Sequence, residues 1–173
     1  MTGRGHELGA HFEAELIASA RVLFGDLVAD RCKLPDEKRA RREDGRFPAF
    51  FGELRIADLQ LVLPRGRTVY IEAKATSSPG AIRHVSVTQW ETLKLLADRG
   101  HESWLVCNWR TLSPPFVNVC YAMPADIALL RMGKSIPRVW AQEHGEPLSR
   151  MAAPAVRDQW GWDLRPITRR KAG

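Results

Sequence analysis

Arg55-Ile56-Ala57-Asp58-Leu59-Gln60-Leu61-Val62-Leu63-Pro64-Arg65-Gly66-Arg67-Thr68-Val69-Tyr70-Ile71-Glu72-Ala73-Lys74-Ala75-Thr76 is the stretch that organises this chain. Arg55 to Leu63 is apolar and strand-prone, Pro64-Arg65-Gly66 is a turn cluster, and Thr68 to Lys74 is a second strand-like run, so the segment predicts a β-hairpin. Side chains alternate across a strand, which puts Glu72 and Lys74 on one face among residues apolar enough to imply burial. Asp58 interrupts the first run in the same way. Charged groups buried there need either each other or a metal ion, because unpaired burial is costly.

An Asp on one strand and Glu-x-Lys on the next suits hydrolysis of a phosphodiester. Two carboxylates offer the hard oxygen ligands that Mg²⁺ prefers, and such an ion polarises a phosphate oxygen and lowers the pKa of a bound water. Lys74 is then placed to orient or help deprotonate the water and to offset negative charge developing on phosphorus. The same residues also fit a hairpin with a structural Glu-Lys pair and an edge-facing Asp, and spacing alone does not separate the two.

Upstream, Glu7 to Leu27 reads as an amphipathic helix, with Leu8, Phe12, Leu16, Ala20, Leu23 and Leu27 at helical spacing. Glu13 falls at the flank of that stripe and is expected to be half-buried, as a boundary residue paired with an arginine or as part of a site. Glu15 lies further from the stripe and is expected to face solvent. Gly25-Asp26 ends the helix, and Leu27 to Leu34 alternates as a first strand. The segment Asp36 to Arg46 is crowded with Lys38, Arg39, Arg41, Arg42 and Arg46, followed by Phe47, Phe50 and Phe51. These cations suit phosphate contacts beside the hairpin; they equally suit a solvated insertion balanced by Asp36, Glu37, Glu43 and Asp44.

Downstream, Ser77-Ser78-Pro79-Gly80 predicts a turn, with Arg83 and His84 close by in sequence. Arg83 joins the candidate DNA contacts; His84 is not nominated as a catalyst. Thr88-Gln89-Trp90-Glu91 has capping-box spacing and starts a helix that Gly100 stops. Gln89 sits on its first turn, as an exposed polar residue or as a group facing the site. Ser103 to Trp109 and Phe116 to Tyr121 predict two more strands, and Ala125 to Met132 a short helix ended by Gly133. Beyond it, Trp140, Trp160 and Trp162 alternate with Arg138, Arg150, Arg157 and Arg165, fit either to stack on unpaired bases or to close the core. Residues 1–133 are therefore expected to form the core domain and 134–173 a basic, Trp-rich extension packed on it or extending from it.

Composition bounds the class. The chain has 173 residues, 45% of them hydrophobic, which suits one domain with a sizeable core. Twenty-six Lys and Arg against 20 Asp and Glu leave a charge of +6, favouring a polyanionic partner. Cys32, Cys107 and Cys120 are too scattered for a disulfide framework or a zinc knuckle. With no leader or membrane-crossing run in the sequence, a cytoplasmic protein is the expectation.

Ala57-Asp58 followed by Ile71-Glu72-Ala73-Lys74-Ala75-Thr76 resembles the core of the PD-(D/E)xK nucleases, and more narrowly the archaeal-type Holliday junction resolvases with their phage and bacterial relatives. Gly9-Ala10-His11-Phe12-Glu13-Ala14-Glu15-Leu16 is similar to that family's G-x-x-x-E-x-x-L, and Val85 to Gln89 to the segment whose glutamine opens the next helix. The resemblance spans Gly9 to Tyr121, with Ala57 standing where the family usually has proline. It implies a restriction-endonuclease-like α/β fold, a central mixed sheet flanked by helices. It implies Glu13, Asp58 and Glu72 around Mg²⁺, with Mn²⁺ substituting, Lys74 supporting the nucleophile, and Gln89 positioning water or phosphate. It further implies a homodimer that cuts opposing strands of a four-way DNA junction, in the host cytoplasm if the gene belongs to a phage. A restriction or repair nuclease of the same fold and a noncatalytic DNA-binding module are the rival expectations.

Overall fold

The computed structural model describes residues 3–25, 29–30, 57–63, 66–152 and 160–169. Lys38, Arg39, Arg41, Arg42, Arg46, the phenylalanines at 47, 50 and 51, Arg157 and the basic residues at 170 and 171 lie outside them. The chain is α/β. Helix α1 (Gly3–Phe24) buries Phe12, Leu16 and Ala20 at four-residue spacing. It stops where Gly25 takes φ +90° and its N–H reaches the Arg21 carbonyl, the left-handed conformation that glycine adopts at least cost.

The expected hairpin is present. Strand β2 (Leu59–Leu63) pairs antiparallel with β3 (Arg67–Thr76) in a register that sets Leu59 opposite Ile71 and Leu61 opposite Val69. Gly66, at φ +74°, closes it. The short β1 (Ala29–Asp30) flanks β2. After β4 (Ala81–Ile82) and α2 (Val87–Asp98), β5 (Glu102–Arg110) returns parallel to β3, and β6 (Asn118–Pro124) pairs antiparallel with β5. Beyond β6 come α3 (Ala125–Ala128), one 3₁₀ turn (Leu129–Arg131), β7 (Ile136–Pro137), α4 (Arg138–His144), β8 (Glu146–Leu148), β9 (Arg150–Ala152), β10 (Trp160–Trp162) and α5 (Arg165–Arg169). Strands β1-β2-β3-β5-β6-β8 form one mixed sheet, while β4 with β7 and β9 with β10 form two small ribbons.

Alternation along the strands divides the core between the two faces of the sheet. One face carries Leu59, Leu61, Val69, Ile71, Ala73, Trp104 and Val106 against α1, with Trp162, Leu164 and Ile167 from the C-terminal segment. The other carries Leu105, Cys107, Trp109 and Met123 against Trp90 and Leu93 of α2 and residues of α3 and α4. No residue of β2 or β3 belongs to this second cluster, so on that face the hairpin presents a different set of side chains.

The segment after Gly133 closes the core. It supplies β8, the edge strand beside β6, and Trp162, which is fully buried. The expectation that Glu15 faces solvent is corrected: Glu15 is 4% exposed. Its carboxylate accepts hydrogen bonds from Arg110 of β5 and from the Trp162 indole N–H, and it is approached by His11 one turn earlier. Ser19 accepts from the Trp162 backbone N–H. Helix spacing placed Glu15 off the apolar stripe, but the C-terminal segment packs over that flank and brings the partners that make burial tolerable. Among the described residues no helix is long and apolar enough to cross a membrane.

Candidate functional site

Three of the residues singled out from the sequence come together at the open end of the hairpin. Continuing the β2–β3 register by one residue sets Asp58 opposite Glu72, and Lys74 shares the Glu72 face two residues along. Asp58 precedes the first paired residue of β2, where among the described residues the β3 backbone has no further antiparallel partner. Its Oδ2 accepts the Ala73 N–H at 2.9 Å. Lys74 Nζ lies 2.7 Å from Glu72 Oε1 and 4.0 Å from Asp58 Oδ2. Both carboxyl groups are buried, and the lysine is largely so.

These groups perturb one another. Burial pushes the Glu72 carboxyl upward, the Lys74 ammonium pulls it down, and Asp58, through its charge and a hydrogen bond, pushes it up again; the net pKa is about 7. A carboxyl poised near neutrality and beside a second one is a group whose charge a cation would stabilise. Cys107, opposite Lys74 on β5, forms part of the floor. It is fully buried, and burial lifts its thiol well above the usual range, so it supplies no thiolate nucleophile.

The remaining candidates stand apart from this trio or serve a local role. Glu13 is half-buried, as expected, but α1 packs on the face of Ile71 and Ala73, opposite to the one that carries Glu72 and Lys74. Among the described residues no three His, Cys, Asp or Glu side chains form a group able to hold a metal ion, so Asp58 and Glu72 stand as a carboxylate pair. Gln89 closes a capping box with Ser86: Ser86 N–H donates to Gln89 Oε1 at 3.0 Å and Gln89 N–H to Ser86 Oγ at 3.3 Å. The expected box over Thr88 and Glu91 is thereby corrected. Ser86, in extended conformation at the N-cap, starts α2 two residues earlier, and the Thr88 carbonyl instead accepts from the Thr92 hydroxyl. Arg83 and His84 are exposed between β4 and α2.

Of the tryptophans considered for base stacking, Trp162 is buried edge-on to Phe12 with Arg150 over its ring. Trp140 stacks on His144 with Arg131 above. Both are engaged by the protein itself, and the Trp160 side chain lies outside the described set. Within the hairpin, Tyr70 shares the Asp58–Glu72–Lys74 face and is paired edge-on with His101 at 5.7 Å. The two-residue periodicity of β3 already carried that placement for Tyr70; nothing in the sequence carried the His101 partnership.

No protein-family model matches the chain, and no curated protein matches it.

Proposed function

We propose that this protein is a Mg²⁺-dependent endonuclease acting on branched DNA, with the four-way junction as its substrate and the restriction-endonuclease-like architecture as its fold. The observation that carries the reading is the convergence of Asp58, Glu72 and Lys74 on one side of a buried hairpin, in the Asp plus Glu-x-Lys order. The order of elements, helix, strands, helix and a strand returning parallel to β3, supports it.

The donor set fits a hard divalent cation. Two adjacent carboxyls, one lifted to a pKa of about 7 by burial, offer oxygen ligands and gain from a positive charge between them. Asp58 and Glu72 would hold the ion; Glu13, on the helix packed against the opposite face of the sheet, is outside that pair. When bound, the ion supplies Lewis-acid polarisation of a phosphate oxygen. Lys74, already within reach of both carboxyls, offsets negative charge building on the phosphate oxygens as the leaving strand departs. Asp58 does a second job: through the Ala73 N–H it fixes the β3 backbone between Glu72 and Lys74, so both side chains keep their mutual geometry. Gln89 is held in the α2 cap, and its amide nitrogen remains for water or phosphate. Dimerisation would present two such sites to a two-fold junction.

Incubating the full chain with a labelled four-way junction and with its linear arms, with and without Mg²⁺, tests the reading. Cutting of the junction only with the ion, its loss in Asp58→Asn, and a drop of roughly 100- to 1,000-fold in Lys74→Ala, with junction affinity kept within a few-fold, are the expected results. Equal cutting of the linear arms would move the substrate to ordinary duplex. One observation favours a noncatalytic role: Lys74 already donates to Glu72, and the Ala73 N–H to Asp58. A module of that kind binds the junction without nicking it.

A further inference from the structure

The face of β3 that carries Lys74 and Glu72 continues toward the Gly66 turn through Tyr70 and Thr68. There it borders an open cavity of about 620 Å³ lined by Gly66, Arg67, Thr68, Tyr70, Gly100, His101 and Glu102. We propose that this cavity is a nucleotide subsite that receives one unpaired base of the DNA strand being cut, stacked against Tyr70 and His101. The proposal rests on the nuclease reading for its substrate, although its geometry is independent of the metal site.

Four observations carry it. The cavity begins two residues from Glu72 on the same strand face, a separation of roughly 7 Å at a rise of about 3.3 Å per residue. That is about two nucleotide steps at roughly 3.4 Å each. A strand whose phosphate lies beside Glu72, where the Lys74 ammonium sits at 2.7 Å, therefore brings a base about two nucleotides along to Tyr70. Second, the aromatic wall is two-sided: the Tyr70 and His101 rings meet at 73°, forming a corner in which a planar ring contacts one face and one edge. Third, Val62, opposite Thr68 on the same face of the hairpin, is 47% exposed, and among the described residues the α2 cluster includes no side chain of β2 or β3.

The fourth is the rigidity of the rim. Arg67 makes a two-pronged ion pair with Glu102 at 2.8 and 2.7 Å and also donates to the Thr168 carbonyl. Gly100 at φ +75° carries the chain from α2 into His101, and the His101 N–H bonds the Leu96 carbonyl. Both walls are thus held before any ligand arrives, so little ordering is needed on binding. With its charged pair closed on itself, the cavity offers a base an aromatic surface and the Thr68 and Tyr70 hydroxyls. A fully paired duplex buries its bases in the stack and has none to insert. The subsite therefore discriminates in favour of unpaired positions, such as those at a strand exchange point.

The test measures binding without divalent cation, so it does not depend on cleavage. Full-length protein is titrated against a fluorescent single-stranded oligonucleotide, a fully paired duplex of the same sequence, and free deoxyadenosine monophosphate. Tyr70→Ala and His101→Ala are each compared with Tyr70→Phe, and His101, exposed on its turn, guards against loss of fold. Roughly tenfold weaker binding of the single strand in both alanine variants, less than a twofold change for duplex, and retention in Tyr70→Phe are expected. Equal losses on single strand and duplex, or no loss on either, would overturn the subsite. Mononucleotide bound as tightly as the oligonucleotide would overturn the strand assignment in favour of a free nucleotide. If Tyr70 and His101 matter for unpaired strands while no junction is cut with Mg²⁺, the nuclease reading fails and the subsite stands; the converse pattern separates them the other way.

Discussion

Glu72 is the most strongly poised residue of the candidate site, and its titration leaves a signature in stability as well as in chemistry. Its carboxyl rises from a model-peptide value of 4.5 to about 7 in the fold, so the folded state holds the proton more tightly than the unfolded chain. The contribution is fully present below pH 4.5 and is lost as the pH rises to about 7. Without divalent ions, denaturant unfolding should therefore show a decline on the order of 2 to 3 kcal/mol across that window, and Glu72→Gln should flatten it. Added Mg²⁺ or Mn²⁺ should restore stability above pH 7 and do little at pH 5, since the ion binds the deprotonated pair. Because the Lys74 ammonium pulls Glu72 down, Lys74→Met should push the Glu72 titration above pH 7, visible as a shifted carboxyl carbon resonance. An unchanged titration in that variant would mean the two groups are not in contact. Asp58, Glu72 and Lys74 could be recognised in the sequence because two-residue alternation sets all three on the hairpin face away from Leu59, Val69, Ile71 and Ala73. Glu15 could not, since its partners Arg110 and Trp162 lie 95 and 147 residues away in the chain.

At the scale of elements, the hairpin and the cap of α2 separate positioning from structure. Gln89 and Ser86 share a reciprocal box, so Ser86→Ala should cost about 1 kcal/mol of stability. Gln89→Glu keeps the reaching carbonyl-type oxygen and should leave stability near that of the parent. Comparing junction cleavage in those two variants tells whether Gln89 serves the site or only the helix: loss of cleavage in Gln89→Glu with stability intact assigns it to the site, while cleavage that simply follows stability confines it to the cap. The hairpin, the Gly25 and Gly100 stops and β5 as a strand were anticipated by period and glycine placement; its parallel pairing with β3 was not, because periodicity carries no strand direction. The start of α2 was missed by two residues. Two overlapping [Ser/Thr]-x-x-[Glu/Gln] spacings run from Ser86 and from Thr88, and only the extended backbone at Ser86 decides between them.

At the scale of the whole molecule, the C-terminal segment is built into the core. Phe12 of α1, Trp162 of β10 and the Glu15–Arg110 pair join the two ends of the chain across one face of the sheet. Trp162→Ala removes a fully buried ring and leaves the Glu15 carboxylate short of a donor, so a loss of about 3 to 5 kcal/mol in unfolding free energy is expected. A loss under 1 kcal/mol would contradict the burial. A boundary at Gly133 followed from the fading of periodicity beyond it, which is what short strands and helices such as β8, β10 and α5 produce even when they pack. Their burial comes from α1 and β6, far away in sequence, and no local pattern reports it.

The claim on which the functional reading stands is that Asp58, Glu72 and Lys74 act together on a DNA phosphate. Nicking of an end-labelled four-way junction by the full chain in Mg²⁺ at pH 8, with Glu72→Gln run beside it at equal junction occupancy, tests it most directly. The account predicts paired nicks near the branch for the parent and none for the variant; parent and variant cutting at the same rate would contradict it.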